Sequence, residues 1–360
     1  MRNSVLRCPA LILATVVASA CAADEDPEGQ TGDAPAESSG DASGSPTTVD
    51  PGTEESGSSA DPTTAGTDDG ATTGADEDVV VVPLRIDAFN VPVLETYYAC
   101  FEFSFELDQL GHIVGFDPKI DDVAHVHHYV LTKIDEPSGQ QDGYSCFDLS
   151  GEMIYTWAPG GQAYDLPPEA GFLIGDAPGG KVTLRLQVHY NNPVADAGVT
   201  DSSGLDLRVS KTLRPHNAGT IVFGDIENIE IPPGMPAYEH VATCSSNATS
   251  SLLTEPMHVF GTAMHAHNIG AVLWTDVYRD GAKLYELNRD DPYLFDSQHM
   301  NPSDKVIEPG DQVQTHCIYD STGRTETTLG GPGTTNEMCW NVVTYWPRLT
   351  QPIDTCGTGN

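Results

Sequence analysis

The chain has 360 residues, with 53 Asp and Glu against 16 Lys and Arg and a formal net charge of −37. A field of that sign repels phosphate backbones and anionic lipid headgroups, so nucleic-acid binding and electrostatic membrane association are excluded as functions. With 35 Gly and 26 Pro the chain is also too rich in helix breakers for a bundle, and short strands joined by turns are expected.

Residues 1–21 read as an export signal. Arg2 and Arg7 supply its charged part and residues 10–17 its apolar part, which is too short for a stable membrane span. The end of this segment, Ala18-Ser19-Ala20-Cys21, resembles a bacterial lipobox, with Ala in the first place where Leu, Val or Ile is usual. Cys21 is then the expected lipidated residue, and the expected location is an exported lipoprotein at the outer membrane or cell surface of a bacterium. Residues 22–79 carry sixteen acidic residues and no Lys or Arg among Ser, Thr, Gly, Ala and Pro. Such a segment has nothing with which to build a core and its like charges extend it, so a disordered acidic linker is expected.

From residue 80 onward the pattern is all-β. Phe101, Phe103, Phe105 and Leu107 alternate with Glu102, Ser104 and Glu106, the period of a half-buried strand. In KVTLRLQVHY, Val182, Leu184, Leu186 and Val188 lie on one face, and Thr183, Arg185, Gln187 and His189 on the other. Asp280-Gly281 separates two strand-like runs and predicts a hairpin. Many short strands over this length predict two tandem β-sandwiches of jelly-roll type, 80–212 and 213–360. Six cysteines lie in this part, Cys100, Cys146, Cys244, Cys317, Cys339 and Cys356. An even number in an exported protein implies disulfides, although spacing alone does not choose their pairing.

The 12 histidines form the most informative pattern. His265 and His267 stand two apart in a strand-like segment, so one face can present both to one metal ion. Gly261 and Ala263 share that face, and space above such a metal is expected to be open. His189 sits on the polar face of its strand. His127 and His128 are adjacent, and a regular strand would send them to opposite sides, so their joint use requires a strand end, a bulge, or a metal gripped from two sides. Imidazole suits zinc, copper, nickel and iron alike, and no HExxH-type carboxylate motif is present. A thioether would point to copper, but spacing does not select one of the 7 Met residues.

Taken in order, the segments HVHHYV, PPEAGFLIG, LRLQVHYNNP, DSSGLDL, NAGTIVFG, MHVFGTAMHAH and GGPGTTNEMCWN resemble the copper type II, ascorbate-dependent monooxygenases. The members of that family include hydroxylases of dopamine and of glycine-extended peptides. The resemblance covers residues 95–360 and implies two jelly-roll domains that each bind one copper ion, facing each other across a wet cleft. It implies His127, His128 and His189 as ligands of an electron-transfer copper, and His265, His267 and Met338 as ligands of a copper that binds O₂ and hydroxylates. It also implies the pairings Cys100–Cys146, Cys244–Cys356 and Cys317–Cys339, and a supporting role without ligation for His258. No family role transfers to His125. The expected activity is hydroxylation of a C–H bond with O₂ and two electrons from ascorbate or a similar one-electron donor. The alternatives are a non-catalytic copper-binding cell-surface protein on the same scaffold, and a zinc- or carbohydrate-binding sandwich module.

Some positions depart from the family pattern. Tyr129 follows the histidine pair where the family usually has Met. Where the peptide hydroxylases hold the substrate carboxylate, this chain has Ala263, Trp340 and Val342, none of which pairs with an anion. A small neutral or cationic organic substrate is therefore expected.

Overall fold

The computed structural model describes residues 78–147, 150–350 and 355–357. The expected export signal, Cys21 and nearly all of the expected acidic linker lie outside the described residues. Two β-sandwiches account for most of the described chain. In the first, one sheet has the order Val79–Arg85, Gly204–Ser210, Gly111–Lys119, Ala170–Ile174, His216–Asn217, with Tyr164–Asp165 beside Gly111–Lys119. The other has the order Tyr144–Ser145, Thr96–Glu106, Lys181–Asn191, Val126–Lys133, Glu152–Trp157. Alternate residues of both sheets, among them Ile113, Phe116, Leu207, Leu131, Leu184 and Leu186, form one core. Burying one such side chain contributes about 1.5–3 kcal/mol, which fixes the strand registers because a one-residue slip would expose the whole set.

The second sandwich pairs the sheet Asn301–Pro302, Met257–His265, Cys339–Trp346, Gly219–Asp225, Thr355–Cys356 with the sheet Tyr238–Cys244, Gln312–Tyr319, Gly270–Arg279, Ala282–Asp290. In both sandwiches most sheet neighbours are distant in the chain, as in Greek-key and jelly-roll connections. The hairpin forms where the dipeptide signal placed it: Asp280 and Gly281 both have positive φ, 53° and 78°, and join Arg279 to Ala282. No helix among the described residues is long and apolar enough to cross a membrane. The three disulfides are Cys100–Cys146, Cys244–Cys356 and Cys317–Cys339, the pairing that the family resemblance implies.

The sandwiches pack directly on each other. His216–Asn217 adds a parallel strand to the first sandwich just before the chain enters the second, and Ala218 is buried in the first core. Phe260 and Trp346 of the second sandwich also reach that core. The Tyr164 hydroxyl donates to the Phe260 carbonyl at 2.9 Å, and Arg348 forks onto Glu152 at 2.8 and 3.1 Å. One expectation from sequence is altered. The polar face of Lys181–Asn191 does not meet solvent; Thr183, Arg185, Gln187 and His189 are all buried.

Candidate functional site

The first histidine set is assembled by a break in strand pairing. His128 lies opposite His189, but the next pair is Val126 opposite Tyr190, so His127 is the extra residue of a β-bulge. The bulge brings both neighbours to one side, with His127 Nδ1 and His128 Nδ1 3.0 Å apart. Ring centroids of the three histidines lie 4.8 to 5.2 Å from one another, and one nitrogen from each falls within 4.8 Å of the other two. His189 is stacked on Tyr98 at 4.4 Å, and both of its ring nitrogens are buried with no hydrogen-bond partner. An orphaned buried polar group costs about 1–3 kcal/mol, a cost that a bound metal ion removes. Burial pushes the His128 imidazole well below its ordinary range and takes His189 down to about 3, so both are neutral, ligand-ready donors at neutral pH.

The second set sits at the mouth of the other sandwich. His265 is the last residue of its strand and His267 follows two residues later, their rings 5.3 Å apart and perpendicular. Met338 is almost fully buried, and its carbonyl accepts from the Tyr319 hydroxyl at 2.7 Å. The neighbouring Cys339 is tied to Cys317, which holds the Met338 backbone in place. Burial takes His265 to about 3 and lowers His267 as well. His267 Nδ1–H donates to the Asn336 carbonyl at 2.9 Å, which leaves Nε2 as its free donor atom. His265 Nδ1 pairs with Gln298 Oε1, and the Gln298 amide nitrogen is spent on the Phe295 carbonyl, so again Nε2 is left. The Glu337 carboxylate accepts from the backbone N–H groups of His267 at 2.7 Å and Ile269 at 3.0 Å. Burial raises that carboxyl to about 7.

A cavity of about 70 Å³ lies where the two sets meet, bordered by His128, His265, His267 and Met338. The rings of His128 and His265 are 6.5 Å apart, so the two sets face each other at close range. The reason is the segment 291–300 of the second sandwich. It is anchored by Tyr293, whose hydroxyl accepts from the Ala266 N–H at 3.0 Å. From there it reaches the first set: Phe295 stacks on His127 at 4.6 Å, and Asp296 accepts from His127 Nε2–H at 2.7 Å. That leaves the lone pair of His127 Nδ1 turned towards His128 Nδ1. Asp296, Phe295, Gln298 and Glu337 were not singled out from sequence. Glu337 stands in the EMC motif beside Met338, but the other three carry no local signal.

One other expectation meets the structure differently, and three further residues are placed by it. Space is open above Ala263 but not above Gly261, where an added Cβ would lie 2.4 Å from both Tyr164 Oη and Thr344 Oγ1. Gly261 is there to admit Tyr164 of the first sandwich. His258 lies outside the site, stacked on Trp346 at 3.9 Å with His216 on Trp346 at 4.6 Å. His125 is paired with Asp122 at 2.8 Å and is not part of the cluster. Tyr129 borders the cavity, stacks on Trp157 at 5.2 Å and donates to the Gly204 carbonyl at 3.1 Å.

Family models of the copper type II ascorbate-dependent monooxygenases match this chain twice, the N-terminal domain at residues 82–197 and the C-terminal domain at 216–358. The chain belongs to that family. It is 34% identical over 277 residues to tyramine beta-hydroxylase of Caenorhabditis briggsae, covering 71% of this chain and 46% of that protein. It is 32% identical over 291 residues to dopamine beta-hydroxylase of Equus caballus, covering 75% and 47%. It is 31% identical over 281 residues to DBH-like monooxygenase protein 1 of Homo sapiens, covering 72% and 46%. The chain thus spans about half the length of these relatives. Within this monooxygenase family, both histidine sets fall inside the matched residues.

Proposed function

We propose that the chain is an exported copper monooxygenase that hydroxylates a C–H bond of a small organic substrate. The overall reaction takes R–H, O₂, two electrons and two protons to R–OH and water, the electrons coming from ascorbate or a similar one-electron donor. The observation that carries this reading is the meeting of two buried donor sets at one apolar cavity. A metal-storage protein needs the donors but not the cavity. His127, His128 and His189 would hold one copper ion, and His265, His267 and Met338 the other. Bound there, copper supplies one-electron transfer and the activation of O₂. The soft Met338 thioether favours the reduced ion, which is the form that meets O₂.

The remaining chemistry belongs to the chain. Gln298 and Asn336 fix the tautomers of His265 and His267, and Glu337 holds the backbone of His267 and Ile269 rigid. Met153, Phe147, Phe295 and Val342 form apolar walls that keep water from the reacting C–H bond. Ala263, Trp340 and Val342 all border the cavity, so the places where peptide hydroxylases hold a carboxylate carry no cation here. The named relatives are hydroxylases of tyramine and dopamine, and a compact substrate with an aromatic or alkyl body is in keeping with them. Three disulfides support export to an oxidising compartment. Lipidation at Cys21 rests on the lipobox alone. Reductant-driven O₂ uptake by the copper-loaded protein, with a hydroxylated product from a single-ring substrate, tests the reading. Copper bound without any reductant-dependent O₂ uptake would favour the non-catalytic alternative.

A further inference from the structure

We infer that the substrate is uncharged and carries one hydrogen-bond-accepting oxygen, a hydroxyl or carbonyl, on a compact apolar body; this rests on the cavity between the two histidine sets being the substrate site. Among the described residues, no Asp, Glu, Lys or Arg borders that cavity. Glu152, Arg185 and Arg348 line a separate groove on the other side of Met153 and Trp340, while the carboxylates of Asp296 and Glu337 are spent on His127 and on the backbone of His267 and Ile269. There Glu152 is committed to Arg348 at 2.8 Å, and Arg185 faces Glu102 at 3.3 Å. An ammonium or carboxylate enclosed in the cavity would lose its hydration with no counter-charge to replace it.

The polar atoms on the walls say what does fit. Tyr129 Oη and Trp157 Nε1 already donate to the carbonyls of Gly204 and Gly161, and both ends of the Gln298 amide are used. Two buried atoms are left with no partner, Thr156 Oγ1 from the first sandwich and Trp340 Nε1 from the second. Indole nitrogen is a donor only, so Trp340 calls for an acceptor, which an ammonium group is not. The Thr156 hydroxyl, on the first sandwich's side of the cavity, can donate to an oxygen or accept from a hydroxyl proton. Trp340 is held where it is by Gly224, where an added Cβ would lie 2.7 Å from the indole Cδ1. The cavity volume of about 70 Å³, against about 150 Å³ for a cavity that holds benzene, encloses only the polar group and its neighbouring carbons, and the rest of a single-ring body sits at the open mouth.

Equilibrium binding of benzyl alcohol, toluene, benzylamine and benzoate to the full chain tests this, measured with and without copper so that direct ligation of the amine to metal is separated from the cavity's own preference. Binding does not depend on turnover, so this test is independent of whether the protein proves to be a monooxygenase. Benzyl alcohol is expected to bind at least tenfold more tightly than benzylamine or benzoate to the copper-free chain, and more tightly than toluene. Trp340→Phe and the isosteric Thr156→Val should each narrow the gap between benzyl alcohol and toluene, while thermal melts confirm that the variants fold. Benzylamine binding the copper-free chain as tightly as the alcohol, equal affinity for alcohol and toluene, or no binding of any of the four would overturn the inference.

Discussion

At the level of single residues, the site depends on side chains whose chemistry cannot be replaced by volume. Met338 is buried beside both histidines of the second set, and leucine matches its size closely enough that Met338→Leu should cost less than about 1.5 kcal/mol. The thioether is nevertheless lost. The expected outcome is a melting temperature within a few degrees of wild type and no hydroxylated product; full turnover in M338L would show that Met338 only fills space. His112 gives a different kind of test, away from the metal sites. Its Nε2–H donates to Asn217 Oδ1 at 2.9 Å, and its Nδ1 accepts from the Arg214 N–H at 3.0 Å, tying the first sandwich to the connection into the second. Burial, with Arg214 adding to it, holds this imidazole below its ordinary value. The unfolded chain then binds the proton more readily than the folded one. Its contribution is complete above the unfolded value of about 6.5 and is lost as pH falls below it. Melts of metal-free protein between about pH 7 and 5 should show a smaller pH dependence for His112→Gln than for wild type. Equal slopes would mean that His112 is not the neutral link described.

At the level of elements, the strand periods were legible in the residues; for the adjacent His127 and His128 the residues left a strand end, a bulge or a two-sided grip open, and the structure has the bulge. The burial of the His189 face was not legible. Thr183, Arg185, Gln187 and His189 look solvent-facing by alternation alone, yet Arg185 meets Glu102 and His189 meets Tyr98, partners that are distant in the chain. The segment 291–300 was equally silent. It has no periodicity, and its contact from Asp296 to His127 spans 169 positions. Gly261 read as open space because an absent side chain looks the same whether it leaves a gap or admits a neighbour. The contact from Asp296 carries its own prediction. Its carboxylate is largely exposed, so Asp296→Ala should leave the melt unchanged. Copper affinity at the first set should fall about 10–100-fold in chelator competition, because His127 loses the group that orients it. Unchanged affinity would make the contact incidental.

For the whole molecule, neither sandwich contains a working site by itself. One presents three imidazoles on a bulged strand pair, the other two imidazoles and a thioether, and the apolar cavity exists only where they meet. The segment 291–300 crosses that junction and binds both sets, so the same packing that buries Phe260 and Trp346 against the first core also brings His128 and His265 within 6.5 Å. Two ligand sets in separate sandwiches predict two independent metal ions, and this is the central claim. Metal analysis of the purified protein and of His189→Ala after loading with copper tests it most directly. The account predicts two copper ions per chain in wild type and one in H189A, with the Met338 site still filled; a single zinc ion and no copper in wild type, or two coppers retained in the variant, would contradict it.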